Sequence, residues 1–305
     1  MTLPPDRSHI GAEQRRDATR HIHRASISEC LRLINDADRE VADAVAAASP
    51  AIAAFLDDAS QRFSSGGRLI YLGAGTSGRL GVLDASEAPP TFHVEPGRIV
   101  GIIAGGDNAL RVSSEGREDD ADGARSELAT LNLTGQDAVL GIAAGGTTPY
   151  ILGALRYCDL LDERPLTGML SCSQIDRPPG CDHLIIVDTG PEVVTGSTRM
   201  KAGTATKMVL NAISTTLMIR DGRVYENLMV DLRATNDKLL DRAIRIVCTL
   251  TSLDRDAAHE LLVSADRNVK AALVMHHHGI ELGPALAMLQ RNDGLVHRAL
   301  SDEPR

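Results

Sequence analysis

Aromatic side chains are scarce in this chain: three Phe, four Tyr and no Trp in 305 residues. Few platforms remain on which bases could stack, and a formal net charge of -9 repels a phosphate backbone, so nucleic-acid binding is not expected. An anionic ligand must then be held by local geometry rather than by the field of the whole molecule. The five cysteines, Cys30, Cys158, Cys172, Cys181 and Cys248, are scattered and form no CxxC pair. That spacing predicts reduced thiols rather than a zinc site or a dithiol centre, and no metal is expected. Long apolar runs are also missing. The most apolar stretch, Met208 to Ile219, is interrupted by Asn211, Ser214, Thr215 and Thr216 and is too short to span a bilayer. The N-terminal residues, with Pro4, Pro5, Arg15 and Arg16, contain no apolar segment of the kind a secretory signal needs, and the expectation is a cytoplasmic protein.

What is present is ordinary globular composition, 43% hydrophobic and 24% charged. Residues 1 to about 25 read as a polar arm without a core of its own. Ser26 and Glu29 spell a capping box before a first short helix, and an Ala-rich second helix is predicted from near Asp38 to Phe63. Five short apolar runs follow: Arg68 to Leu72, Arg98 to Ala104, Ala138 to Ala143, Leu166 to Ser171 and His183 to Val187. Helix-like segments separate most of them, the signature of an α/β fold with a doubly wound, parallel sheet. After Gly203 the strand signals stop. Helices are expected to the C-terminus, with breaks near Asp221 to Arg223, Leu253 to Asp256, Gly279 to Gly283 and Asn292 to Gly294. This divides the chain into an arm with helices (1–50), a nucleotide- or sugar-phosphate-type α/β domain (51–234) and a small C-terminal helical region (235–305).

Three segments sit where a strand end meets a helix start, the usual ligand position in such sheets. Gly73-Ala74-Gly75-Thr76-Ser77-Gly78-Arg79 combines glycines, which let backbone approach an anion, with hydroxyl donors and a helix N-terminus. Gly73, Gly75 and Gly78 also fit the dinucleotide spelling GxGxxG. The acidic residue that a nicotinamide site wants about 20 residues on is not in place, Asp107 coming too late. Gly145-Gly146-Thr147-Thr148-Pro149-Tyr150 repeats the small-residue and hydroxyl pattern. In Glu192 to Lys201, Ser197 and Thr198 read either as donors or as simple caps, and Arg199 and Lys201 as ligands or solvated charges.

Three longer stretches, Gly73 to Phe92, Glu115 to Asp119 and Gly190 to Lys207, resemble the sugar isomerase (SIS) fold and, within it, the N-acetylmuramic acid 6-phosphate etherases. The last stretch is shared with glucokinase regulatory proteins, which bind fructose phosphates without acting on them. A non-catalytic sensor of that kind is the alternative reading; length argues against it, since those proteins carry two such domains and this chain has room for one. The resemblance implies a five-stranded SIS-type sheet and cleavage of the D-lactyl ether of N-acetylmuramic acid 6-phosphate, without metal or organic cofactor. It implies Glu87 as proton donor to the lactate oxygen and Glu118 as base at C2, with Glu115 the nearest competitor. The substrate-binding set it implies is Gly75, Thr76, Ser77, Thr147, Thr148, Glu192, Ser197, Thr198 and Lys201. Glu87 is expected in a turn stiffened by Pro89 and Pro90. A homodimer is implied as well, along with a role in amino-sugar and cell-wall recycling. Two departures stand out. Gly145 to Tyr150 replaces the family's Ser-Gly-Arg-Thr-Pro-Tyr, and Ala12 to Arg16 replaces an arm motif that in the family approaches the partner's site. His276, His277 and His278 point in different directions on a helix and are expected to form a surface cluster rather than a metal site.

Overall fold

The computed structural model describes residues 6–232 and 237–302, apart from the side chain of Glu115. The expected domain boundary at residues 234/235 lies outside the described residues. By packing, the chain divides into two compact units, one comprising residues up to Ser86 together with Gly97–Ser214, the other Glu87–Pro96 together with Thr215–Arg305.

The first unit is built on a five-stranded sheet: β1 (Leu69–Gly73), β2 (Ile99–Ile103), β3 (Ala138–Ala143), β4 (Leu166–Ser171) and β5 (His183–Ile186). All neighbours pair in parallel, in the order β2-β1-β3-β4-β5. Every residue of β1, β3 and β4 is buried, which is why these strands read as continuous apolar runs rather than alternating ones. Helix α1 (Ile27–Ala47) is followed by α2 (Ser49–Ser64), whose Phe55 and Phe63 are buried. Helices α3 (Gly75–Phe92), α4 (Arg125–Thr130), α5 (Pro149–Asp159) and α6 (Lys201–Arg220) follow strands or loops of the sheet. Tyr150, Ile151, Leu155 and Cys158 of α5 share a core with Ile70, Leu72 and Val139. Strand order reverses direction at β1, where β2 lies to one side and β3 to the other. Gly73 is in register with both Ile103 and Ile142, so the β1 and β3 ends release their loops side by side. This is the switch point at which open α/β sheets take ligands.

Two local expectations are corrected and one is extended. The Ser26 hydroxyl does accept from Glu29 N–H (3.3 Å), but α1 runs unbroken through Asp38 to Ala47. Asn35 and Asp36 lie on its polar side, where Asp36 meets Arg32 at 3.1 Å, and the break comes at Ala48, just before the Pro50 that opens α2. The arm has no core of its own but packs on the rest of the unit: Ile10 and Ala12 are buried, and Thr19 donates to Val193 O at 2.8 Å. Helix α3 continues past Pro89 and Pro90 to Phe92, so Glu87 is helical rather than in a turn.

The second unit holds α7 (Asp237–Thr251), α8 (Arg255–Ser264), α9 (Val269–His278), α10 (Leu282–Arg291) and α11 (Val296–Ser301). They close on one core that includes Val247, Leu262, Ala272, Val274, Met288 and Val296. The expected breaks are all present. Sequence reading missed a further one, at Ala265 to Asn268, where Asp266 and Arg267 take positive φ. It also missed a hairpin, β6 (Val224–Tyr225) with β7 (Leu228–Met229), whose two-residue strands are too short to show a period. The His277 and His278 rings meet edge to face at 4.7 Å, and His278 Nε2 lies 2.9 Å from Ala299 O. Among the described residues no helix is long and apolar enough to cross a membrane.

Candidate active site

A cavity of about 380 Å³ opens at the switch point of the first unit. Its first wall is the β1–α3 turn. A Cβ on Gly78 would lie 2.6 Å from both Gly73 O and Ile103 Cγ1, so only glycine lets the helix start this close to the strand end. Gly75 has φ +52° and open space beside it, which leaves its backbone facing the cavity. Gly78 N–H is bonded to Ala74 O at 3.2 Å. The N–H groups ahead of it have no partner within the helix and give that end of α3 its positive character. Thr76 and Ser77, half-buried, stand beside them and line the cavity.

The second wall is the β3–α5 loop, with Gly145, Thr147 and Thr148 lining the cavity. Thr148 occupies the N-cap position of α5 without its side chain making the capping bond, so the hydroxyl is not committed to the helix. The third wall is the start of α6: Thr198, Ala202, Gly203 and Thr206. Gly203 brings this helix against Thr76, whose Cγ2 would lie 3.4 Å from an added Cβ.

Glu118, exposed, lines the same cavity. Its backbone carbonyl accepts Tyr150 N–H at 3.0 Å, which ties the Glu115 to Asp119 segment to the first turn of α5. Tyr150 is buried, and that burial, reinforced by Glu127 and Asp120, holds its phenol well above the usual range and keeps it neutral. The side chain of Glu115, the competing base, lies outside the described residues.

Of the predicted binding set, Gly75, Thr76, Ser77, Thr147, Thr148 and Thr198 come together around the cavity; Glu192, Ser197 and Lys201 are not among the residues lining it. Glu192 is fully buried and accepts from Lys201 N–H (2.9 Å) and Ala202 N–H (3.0 Å). It therefore caps α6, a role the sequence suggested for Ser197 or Thr198. Lys201 is fully buried too. Its Nζ lies 2.8 Å from Glu40 Oε2, and Glu40 in turn binds Arg16 of the arm at 2.6 Å. The Arg16 hydrogen bond, with help from Lys201, outweighs burial and holds the Glu40 carboxyl down at about 2, so it is ionised at neutral pH. Glu87 belongs to the second unit, on the exposed side of α3.

Sequence reading missed Arg7, Glu13, Arg79 and Ser113, all of which line the cavity. Arg79 was legible in principle, since it stands one turn into the helix that the loop opens. Arg7 and Glu13 carried no signal, because their place depends on the arm folding back: Ala12 N–H meets Ser173 Oγ at 3.4 Å, and Gly196 N–H meets Ala12 O at 3.3 Å. A larger depression of about 660 Å³ adjoins at Gly146 and Thr147, but its other walls, such as Leu152, Ile175, Pro178 and Pro179, are mainly apolar, and the glycine-rich β1–α3 turn is not part of it.

A glycine turn, a free helix N-terminus, a ring of hydroxyls and the carboxylates of Glu13 and Glu118 meet at this cavity, a set of groups chemically able to hold a phosphate and to take up a proton. Known proteins resemble the whole chain, not this site alone. The N-acetylmuramic acid 6-phosphate etherase of Caldanaerobacter subterraneus is 48% identical over 94% of this chain and 94% of its own length. This chain belongs to that etherase family. Etherase 1 of Bacillus licheniformis is 45% identical over 97% of this chain and 98% of its own, and the etherase of Pectobacterium atrosepticum is 47% identical over 95% of each. Two family models also match: the glucokinase regulatory protein N-terminal SIS domain over residues 49–159, and the C-terminal lid domain of glucokinase regulatory protein over residues 226–293. The first covers two walls of the etherase-family cavity and Glu118; the Glu192 to Lys201 segment falls between the two matches.

Proposed function

We propose that this chain cleaves the D-lactyl ether of N-acetylmuramic acid 6-phosphate, giving N-acetylglucosamine 6-phosphate and D-lactate. The observation that carries the reading is Glu118 on the wall of the cavity that Thr76, Ser77, Thr147, Thr148 and Thr198 also line. In this reading the hydroxyls and the N-terminus of α3 hold the 6-phosphate, and Arg7 and Arg79 add positive charge.

An ether oxygen is a poor leaving group, so the reaction starts by acidifying its neighbour. Ring opening exposes a C1 aldehyde, which makes the C2 proton removable. Glu118 takes that proton, the electron pair forms a C2=C3 double bond, and the C3–O bond breaks. Glu87 gives its proton to the departing lactate oxygen. Water then adds at C3, its proton passing to Glu87, while Glu118 returns a proton to C2, and both carboxyl groups end as they began. The step is a carbon-oxygen lyase reaction followed by hydration. The homodimer, the cytoplasmic location and the role in cell-wall recycling belong to the same reading. The sensor alternative lacks a specific observation in its favour, since the relatives of matching length carry the etherase name.

Incubating the purified protein with N-acetylmuramic acid 6-phosphate and assaying D-lactate tests the proposal. Lactate is expected from the wild type and from neither Glu87→Gln nor Glu118→Gln. Binding of the sugar phosphate without any lactate would leave the sensor reading instead.

A further inference from the structure

The two prolines that follow Glu87 weaken its support. In an α-helix the N–H of residue 89 would bond Ala85 O and that of residue 90 would bond Ser86 O. Pro89 and Pro90 have no N–H, so α3 loses two successive rungs of its own ladder around Glu87. Beyond them the helix stops at once: His93 N–H reaches Pro89 O at 3.0 Å, and His93 takes φ +54°. A stretch held so thinly by its own backbone needs an outside tie.

Another segment of the same second unit supplies one. Arg223, which follows the C-terminus of α6, donates from one guanidinium nitrogen to His93 O at 2.7 Å and to Phe92 O at 3.3 Å, satisfying carbonyls that the end of α3 leaves without helical partners. The guanidinium is itself fixed. Its Nε meets Asp221 at 2.8 Å, the same nitrogen that binds the two carbonyls lies 3.4 Å from Asp231, and Asp231 is held by the nearly buried Lys270 at 3.0 Å. His93 Nδ1 lies 4.0 Å from the same Asp231. Such a network is more than a solvated surface pair, because Arg223 is 15% exposed and Asp231 has a second anchor in Lys270.

We propose that Arg223 is a positioning residue for Glu87: by gripping the last carbonyls of α3 it holds the turn that carries the proton donor for the departing lactate. This inference rests on the reading of Glu87 given above. It assigns Arg223 no contact with substrate.

The test compares two substrates in the full-length protein: N-acetylmuramic acid 6-phosphate, whose alkoxide must be protonated as it leaves, and the 3-deoxy-3-fluoro analogue of N-acetylglucosamine 6-phosphate, whose fluoride depends far less on an acid. In Arg223→Ala, kcat for lactate release is expected to fall about 100-fold, the scale of a small misplacement of a catalytic group, while fluoride release and both KM values stay within about threefold. Added guanidinium ion restores part of the lactate rate. Arg223→Lys, which keeps a donor and much of the packing, loses about tenfold on lactate with the same split and covers the case that the alanine variant does not fold. An equal loss on both substrates, or a loss in KM alone, overturns the proposal by marking Arg223 as a general structural residue. Glu87→Gln serves as the reference. If it shows the split and the Arg223 variants do not, the positioning role fails while Glu87 stands; if it shows no split, the assignment of Glu87 fails and takes this inference with it.

Discussion

Replacing Glu40 by Gln isolates the fully buried Lys201, at the start of the helix that forms the third wall of the cavity. Lys201 has no exposed side-chain surface, and Glu40 is its carboxylate partner at 2.8 Å; the other acceptor, Pro191 O, is at 3.4 Å. Breaking a fully buried pair costs about 3–5 kcal/mol, because the survivor is a stranded charge; an exposed pair is worth less than about 1 kcal/mol. The Glu40 side chain is 49% exposed, which places the expected loss between those limits, at about 2–3 kcal/mol. That corresponds to a fall in melting temperature of roughly 5–10 °C for a unit of this size. The pH dependence follows from the sign of the shift. Glu40 titrates near 2 in the folded protein against an ordinary 4.5, so its contribution is complete above 4.5 and is lost as pH falls toward 2. Calorimetry of wild type and Glu40→Gln at pH 7 and at pH 3 should therefore show a large gap that narrows at the lower pH. Adding Lys201→Met to Glu40→Gln should regain most of the loss, since no buried charge is then left unpaired. A gap below about 0.5 kcal/mol at pH 7, or one that does not narrow in acid, would refute the reasoning and reduce the triad to an ordinary surface pair. Because Glu40 also holds Arg16, the same variant should loosen the arm and raise KM for the sugar phosphate.

Gly78→Ala is expected to push α3 off β1 at a cost of about 1–3 kcal/mol, read as a lower denaturation midpoint together with a raised KM. Thr76→Val and Ser77→Ala should each raise KM about 10-fold or more with kcat little changed, the scale of one hydrogen bond to a charged group; steady-state kinetics decide it. Arg7→Ala, on an arm that the sequence alone left unplaced, should raise KM more steeply at low than at high ionic strength.

Much of the fold could be read in the chain because burial was written locally. The five runs that became β1 to β5 are short, apolar and bounded by glycines or polar residues, and parallel strands covered on both faces need nothing more. The same holds for Gly73 to Gly78, where spacing and small side chains act within one turn. Reading failed where partners lie far apart in sequence. Nothing near Ser197 or Thr198 shows that Glu192, nine residues before Lys201, caps α6, or that Lys201 is claimed by Glu40. Nothing in the arm shows that Ile10 is buried and that Arg7 and Glu13 line the cavity. At Glu87 the local rule misled: Pro89 and Pro90 read as a turn, but the helix continues through them to Phe92, and Arg223 binds its terminal carbonyls.

The central claim is that lactate leaves by elimination across C2 and C3, with Glu118 as the base. Running the reaction in D₂O and weighing the product by mass spectrometry tests this directly. The account predicts N-acetylglucosamine 6-phosphate carrying one deuterium at C2, formed by the wild type, and no C2 exchange into substrate or product with Glu118→Gln. Lactate released while C2 keeps its original hydrogen, with no kinetic isotope effect from substrate deuterated at C2, would contradict it, because removal of the C2 proton would then be no part of the reaction.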